Sequence, residues 1–240
     1  MLDKDSRMPL YSQLMDILIY EIENNMQENE KMLSEREICE KYDVSRTTVR
    51  QAFSELEREG YIYKRHGKGT FVASKKYKQN LQGFYSFTED MKKLGKKPSS
   101  KVLKFEILTA SNDIVRKMKL SKEEMVYKFT RLRLADNEPM MIETTYVPYE
   151  RFPGITKEDL NKTALYDILR DKFSETLEYA EESFVPVLTN EEEAESLQVE
   201  VGSPSLKITR FSYNKHENII EYTISISRGD KFQYQLKLMR

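Results

Sequence analysis

Two pairs of arginines in this chain suit anion recognition. In MVYKFTRLRLA, Arg131 and Arg133 stand two residues apart among aromatic and aliphatic neighbours; in SRTTVR, Arg46 and Arg50 stand four apart beside three hydroxyl residues. A guanidinium binds phosphate or carboxylate through two directed hydrogen bonds, so both stretches are equipped to hold an anion. Groups for bond-making chemistry are not gathered anywhere. His66 falls in a basic turn and His216 in a polar one, and neither has metal-ligand company. Cys39 is the only cysteine, which excludes an internal disulfide and a thiolate zinc cluster, and its place between Ile38 and Glu40 suits a small packed side chain. No cofactor or metal is expected.

The elements that must position these arginines fall into two groups. The chain has 240 residues, 39% hydrophobic and 33% charged, which fits one or two globular domains and argues against disorder. The N-terminus MLDKDSRMPL lacks the basic flank and apolar core of a signal peptide, and no later apolar run is long enough to cross a bilayer, so a cytoplasmic location without membrane attachment is expected. Formal net charge is −1, but between Gly60 and Asn80 there are Lys64, Arg65, Lys68, Lys75, Lys76 and Lys78 with no acidic residue. That block can meet a polyanion whatever the global sum.

Before it, PLYSQLMDILIYEIEN carries Leu10, Leu14, Ile17, Leu18 and Ile22 at helical spacing, a stripe for a core. In LSEREICEKY, Ser34 and Glu37 match a capping box that starts a second helix. That helix must end near Asp43, which can take a left-handed backbone, and Ser45 is a fresh N-cap. From there Val49, Ala52, Phe53 and Leu56 form a buried stripe, leaving Arg46, Thr47, Arg50 and Ser54 outward. Alone, this third helix allows both a DNA-contacting and an ordinary amphipathic reading. YIYKRHGKGTFV follows, two short strand-like runs around Gly67 and Gly69 with Lys64, Arg65 and Lys68, which reads as a basic hairpin or wing. Helix-turn-helix plus wing places the start of the third helix in a major groove and the wing on phosphates or a minor groove.

The run LSEREICEKYDVSRTTVRQAFSELEREGYIYKRHGKGTFV, with the leading PLYSQL, resembles the winged-helix domain of GntR-type transcriptional regulators, in particular the HutC branch. The resemblance implies DNA contacts from Glu35, Arg36, Ser45, Arg46, Thr47, Thr48, Arg50, Lys68, Gly69 and Thr70. Two positions depart from the family pattern: Leu33 stands where a proline is usual and Asp43 where the turn glycine is usual. Both concern backbone pre-organisation rather than contact chemistry.

ASKKYKQN, polar and basic, reads as a linker over 74–80, separating a DNA-binding domain, 1–73, from a second domain, 81–240. The second alternates strand-like runs (KVLKFEILTA, MVYKFTRLRLA, PMMIETTYVPY, TLEYAEESFVPVL, SLKITRFSYN, NIIEYTISISRGD, KFQYQLKL) with helix-like ones (SFTEDMKKLG, NDIVRKMKL, TALYDILRDKF, NEEEAESLQ). Turns such as ADNEP and NKHEN join consecutive strands, so the fold class is α+β with a mostly antiparallel sheet carrying helices. Strand alternation puts Tyr127, Phe129, Arg131 and Arg133 on one face, opposite Val126, Leu132 and Leu134. Two readings stay open there: a solvated face with arginine stems over aromatic rings, or an anion pocket.

This region resembles the UTRA-type effector domain of HutC-branch regulators, similar in fold to chorismate lyase, on SFTEDMKKLGKKPSSKVL, RLRLADNEPMMIETTYVP, LYDIL and EYTISISRGDKF. The resemblance implies a homodimer on a palindromic operator and a small anionic effector held by Ser86, Phe87, Thr88, Arg131, Arg133, Glu143, Thr163, Tyr166 and Glu221. Glu143 would accept sugar hydroxyls. Glucosamine-6-phosphate and N-acetylglucosamine-6-phosphate are the implied effectors, with trehalose-6-phosphate or another ligand as alternatives. Ile224 and Ser227 depart from the family's usual basic and aromatic residues, which bears on the ligand. Arg228 and Asp230 in the RGD run are expected to pair near a turn. A competing class, a lyase-like enzyme acting on small anions, is left without a local motif for nucleophile, base and orienter.

Overall fold

The computed structural model describes residues 2–4, 6–65, 67–73, 76–81, 83 and 85–238. His66 of the expected wing and Ser74 and Lys75 of the expected linker lie outside the described residues. The chain divides into two compact units, Met1–Lys76 and Tyr77–Arg240.

The first unit holds α1 (Leu10–Asn25), α2 (Glu35–Tyr42), α3 (Arg46–Arg58) and a hairpin of β1 (Ile62–Arg65) and β2 (Gly69–Val72). Its core joins Leu14, Leu18 and Ile22 of α1 to Ile38 of α2, the α3 stripe Val49, Ala52, Phe53 and Leu56, and Ile62 and Val72 of the hairpin. Cys39 is a free thiol partly buried against this core. Ser34 and Glu37 form the capping box, the Ser34 hydroxyl accepting from the Glu37 N–H while the Glu37 carboxylate accepts from the Ser34 N–H at 2.7 Å. α2 ends at Asp43, whose backbone is left-handed (φ 50°) and whose carboxylate accepts from Lys4 Nζ at 2.6 Å. That hydrogen bond and the adjacent charge hold the Asp43 carboxyl below its usual range. An aspartate therefore fills the turn position where the family pattern has glycine, tied down from the N-terminal segment.

The second unit is built on an antiparallel six-stranded sheet in the order β4 (Pro98–Thr109), β5 (Met125–Ala135), β6 (Glu138–Pro148), β9 (Ile219–Arg228), β8 (Pro204–Tyr213), β7 (Tyr179–Leu188). The β5–β6 turn is made by Asp136 and Asn137, both at positive φ, and Asn214 Oδ1 closes the β8–β9 turn by accepting from the His216 and Asn218 N–H groups. One face carries α4 (Phe87–Lys93), α6 (Lys157–Lys162) and α7 (Leu165–Phe173). The other packs α5 (Asn112–Met118) over Val126 and Tyr222, and α8 (Glu191–Leu197) over Leu132 and Ile226. A separate parallel pair joins β3 (Tyr77–Asn80) to β10 (Phe232–Gln235).

β3 corrects the expected linker, since residues 77–80 belong to the second unit. The Tyr77 ring lies tilted against that of Phe232, and buried Gln79 donates from Nε2 to Asp90 Oδ2 at 2.8 Å. The polar side chains of this short strand gave no apolar alternation to read. α6 was likewise hidden in the sequence, although Thr156 and Asp159 cap it as a box.

Candidate functional site

Two constellations emerge, one in each unit. In the first, Ser45 caps α3 by accepting from the Thr48 N–H at 3.1 Å, and its hydroxyl also meets that of Thr48 at 2.9 Å. Because the core stripe points inward, Arg46, Thr47 and Arg50 stand exposed along the opposite side of the helix. Arg50 Nε donates to Glu35 Oε2 at 3.0 Å, joining the faces of α2 and α3, while Arg36 lies 3.7 Å from Glu40. The β1–β2 hairpin brings Lys64 to Glu57 of α3 at 2.8 Å and lays the Arg65 guanidinium over the stacked Tyr63 and Phe71 rings. Lys68 and Gly69 are exposed, and Thr70 is partly buried, its carbonyl accepting from the Met32 N–H. Gly69 has φ +116°, and an added Cβ would stand 3.0 Å from the Lys31 side chain, so both backbone and space favour glycine there.

In the second unit the sheet face expected to carry Arg131 and Arg133 is buried, and the solvated reading is set aside. Arg131 is 4% exposed and Arg133 5%. Their guanidiniums lie over the rings of Phe129 and Phe87, and both donate to one carboxylate oxygen of Glu143, at 3.2 and 3.4 Å. Arg133 also donates to Thr88 Oγ1 at 2.8 Å. Strand register explains the gathering: Arg131 faces Glu143 across β5–β6, Glu143 faces Ser225 across β6–β9, and Thr223 faces Arg210, which faces Glu182. The segment Tyr85–Thr88, the start of α7, Gln79 of β3 and Tyr234 of β10 roof this polar row.

The result is a cavity in which about 70 Å³ is open to the centre of a water-sized sphere. By that measure one water needs roughly 15 Å³, so the space admits a small polar molecule. Burial lowers Arg133 to about 10. Burial pushes the Glu143 carboxyl up, but Arg133 and Arg131 more than offset it and hold it below its usual range. Three buried guanidinium atoms, Arg131 Nε and Nη1 and Arg133 Nε, have no hydrogen-bond partner among the described residues.

Of the residues implied for an effector, Ser86, Phe87, Thr88, Arg131, Arg133, Glu143, Tyr166 and Glu221 line this cavity. Thr163 does not. It is exposed at the C-terminal end of α6, its N–H bound to the Asp159 carbonyl, and Ala164 and Leu165 supply that part of the wall. The departure at Ile224 is also relocated: alternation turns it to the other face, while Thr223 and Ser225 line the cavity. Arg228 pairs with Asp230 at 2.6 Å near the β9–β10 turn, as expected.

Sequence reasoning missed Arg210, Glu182 and Tyr85. Arg210 Nε donates to Glu182 Oε1 at 2.6 Å, and Nη1 reaches the Tyr85 carbonyl and the Tyr166 hydroxyl, both at 3.3 Å. Burial alone would lower Arg210, yet Tyr166, Glu182 and Glu221 outweigh it and hold it raised. The signal was present: alternation in SLKITRFSYN puts Arg210 on the face of Leu206 and Ile208, the same anomaly that marked Arg131. Among the described residues no group of three His, Cys, Asp or Glu could hold a metal, and no helix is long and apolar enough to cross a membrane.

Comparison with known proteins matches both units. The UTRA domain profile fits residues 93–233, and that of the bacterial regulatory proteins of the gntR family fits residues 10–72. The HTH-type transcriptional repressor NagR of Bacillus subtilis (strain 168) is 35% identical over 234 residues, 97% of this chain and 96% of its own. The mannosyl-D-glycerate transport/metabolism system repressor MngR of Escherichia coli (strain K12) is 23% identical over 97% of each chain. The crystal structure of PhnF from Mycobacterium smegmatis aligns with a TM-score of 0.69 and 27% identity, over 94% of this chain and 98% of that one. These matches give the lyase-like alternative no support. With a winged helix-turn-helix followed by a UTRA domain, the chain belongs to the gntR family of bacterial regulatory proteins, in its HutC-type branch, and is an effector-responsive, DNA-binding transcriptional regulator rather than an enzyme.

Proposed function

We propose that this regulator is a cytoplasmic homodimeric repressor of carbohydrate-use genes whose effector is a phosphorylated sugar, glucosamine-6-phosphate or N-acetylglucosamine-6-phosphate. The observation that carries the effector class is the set of three buried guanidinium nitrogens of Arg131 and Arg133 without a partner. Orphaned buried donors are costly, and a phosphate supplies the missing acceptors with matching charge. The ring hydroxyls of a sugar fit the hydroxyl and carboxylate groups of the remaining wall. A relative named as the repressor of a mannosyl-D-glycerate transport/metabolism system, and so of genes for an anionic carbohydrate, supports the same class.

On the DNA side, Ser45, Arg46, Thr47, Thr48 and Arg50 of the recognition helix, Glu35 and Arg36 of α2, and Lys68, Gly69 and Thr70 of the wing are the proposed contacts. Two such surfaces in a dimer match a palindromic operator only at one spacing. An effector that binds a differently spaced state more tightly releases the operator by that difference in affinity.

A thermal-shift screen of phosphorylated sugars against wild type and Arg133→Ala tests the effector site. The best ligand is expected to stabilise wild type and to lose that stabilisation in the variant. Equal stabilisation of both proteins would remove Arg133 from the site.

A further inference from the structure

One carboxylate in the cavity wall has surroundings that a phosphate does not explain. Glu221 is 4% exposed and accepts three hydroxyl hydrogen bonds: from Tyr166 at 2.5 Å, Ser212 at 2.7 Å and Thr223 at 2.7 Å. Among the described residues no lysine, arginine or histidine nitrogen lies within 4.0 Å of it. Arg210, which reaches the Tyr166 hydroxyl and is itself bound to Glu182, and Arg133 act on Glu221 only through space. Buried carboxylates are ordinarily paired with a cation, because hydroxyl dipoles repay only part of the loss of hydration.

The contrast with the other carboxylates of the cavity sharpens the point. Glu143 takes both Arg131 and Arg133 in direct contact, and these arginines still keep three unpartnered nitrogens. Glu182 takes the Arg210 guanidinium directly, at 2.6 Å. Glu221 alone of the three holds its place in the lining through hydroxyls.

We infer that the cavity selects a zwitterionic ligand, an amino-sugar phosphate with its amine free, the phosphate seated on Arg131 and Arg133 and the ammonium placed toward Glu221. The inference rests on the proposed sugar-phosphate class and chooses within it: acetylation turns the ammonium into a neutral amide and removes the group that Glu221 lacks. Glu221 is thus a specificity-determining residue, while the two arginines set affinity for the anion common to all candidates.

Isothermal titration of the full chain with glucosamine-6-phosphate, glucose-6-phosphate and N-acetylglucosamine-6-phosphate tests this. Wild type is expected to prefer the free amine by about tenfold or more over either analogue without an ammonium, the scale of one charge-assisted hydrogen bond. Glu221→Gln is expected to bind glucosamine-6-phosphate no better than glucose-6-phosphate, with circular dichroism and the unfolding midpoint reporting that the variant is folded. Equal wild-type affinity for the amine and hydroxyl sugars, or a preference that survives in Glu221→Gln, would overturn the inference and leave the sugar-phosphate reading standing. Should Glu221→Gln fail to fold, the three wild-type affinities decide alone. Failure of all three sugars to bind wild type would overturn both.

Discussion

The two units both present arginines to anions, and they do so under opposite dielectric conditions. The Arg50 side chain is 73% exposed and its partner Glu35 is also open to solvent. Arg131 and Arg133 are buried, share one carboxylate and lie against aromatic rings. An exposed guanidinium is hydrated until DNA arrives, so its presence costs the fold little and its partner pair contributes about 0–1 kcal/mol. A buried one has lost its water already, and the fold must hold it by Glu143, Thr88 and ring faces. The difference suits the two tasks: a polyanion is met by a surface that counterions already visit, a small anion by donors kept dry and aimed.

The strongest way to break this contrast is to remove the counter-charge in each unit. Glu143→Leu leaves two buried cations without a carboxylate and is expected to destabilise the effector unit by about 3–5 kcal/mol, read by denaturant unfolding. Loss of less than about 1 kcal/mol would mean that the arginines are hydrated after all. Protonation should act the same way. The folded-state pKa of Glu143 is depressed, so its contribution is present above the unfolded carboxylate value and is lost as pH falls through the folded one. Acid destabilisation therefore belongs below about pH 4.3, and Glu143→Gln is expected to flatten that limb.

On the exposed side the same kind of change should spare the fold and strike binding. Arg46→Ala and Arg50→Ala are each expected to weaken a palindromic operator by about 1–3 kcal/mol while leaving the unfolding midpoint in place. Operator affinity should also fall steeply with salt, and effector affinity much less, because only the DNA releases condensed counterions. Unchanged operator affinity in both variants would take the recognition helix out of the interface.

What could be read from the sequence follows the same divide. Surface function announced itself through local spacing: the Ser34 and Ser45 caps, the α3 stripe and the glycine-containing basic hairpin are each set by neighbours within a few residues. The strands and most helices of the second unit were legible for that reason too. The cavity was legible only in part, because its members meet through register. Arg131, Arg133 and Glu143 lie on adjoining strands joined by a tight turn, whereas Arg210 meets Tyr85 across 125 residues and Tyr166 across 44. Thr163 was misplaced for a related reason: a one-residue difference at the boundary between α6 and α7 decides which side chain faces inward. Strand β3 was missed since its pairing partner lies at the far end of the chain.

The smallest expected effect sharpens the comparison most finely, because it asks whether Glu35 acts on DNA through Arg50. Glu35 accepts from Arg50 Nε, a bond that does not use the two terminal nitrogens of the guanidinium. As an exposed pair it should matter little to stability, and Glu35→Ala is expected to move the unfolding free energy by no more than about 0.5 kcal/mol. If the carboxylate orients Arg50, operator affinity should fall by less than in Arg50→Ala, and the double variant should bind no worse than Arg50→Ala alone. That non-additivity, a coupling of about 0.5 kcal/mol or more, is what a double-mutant cycle on operator affinity measures. Additive losses would make Glu35 an independent contact. A gain in affinity on removing Glu35 would make it a competitor that DNA phosphate must displace from Arg50, unlike Glu143, which leaves three nitrogens of Arg131 and Arg133 open to an anion.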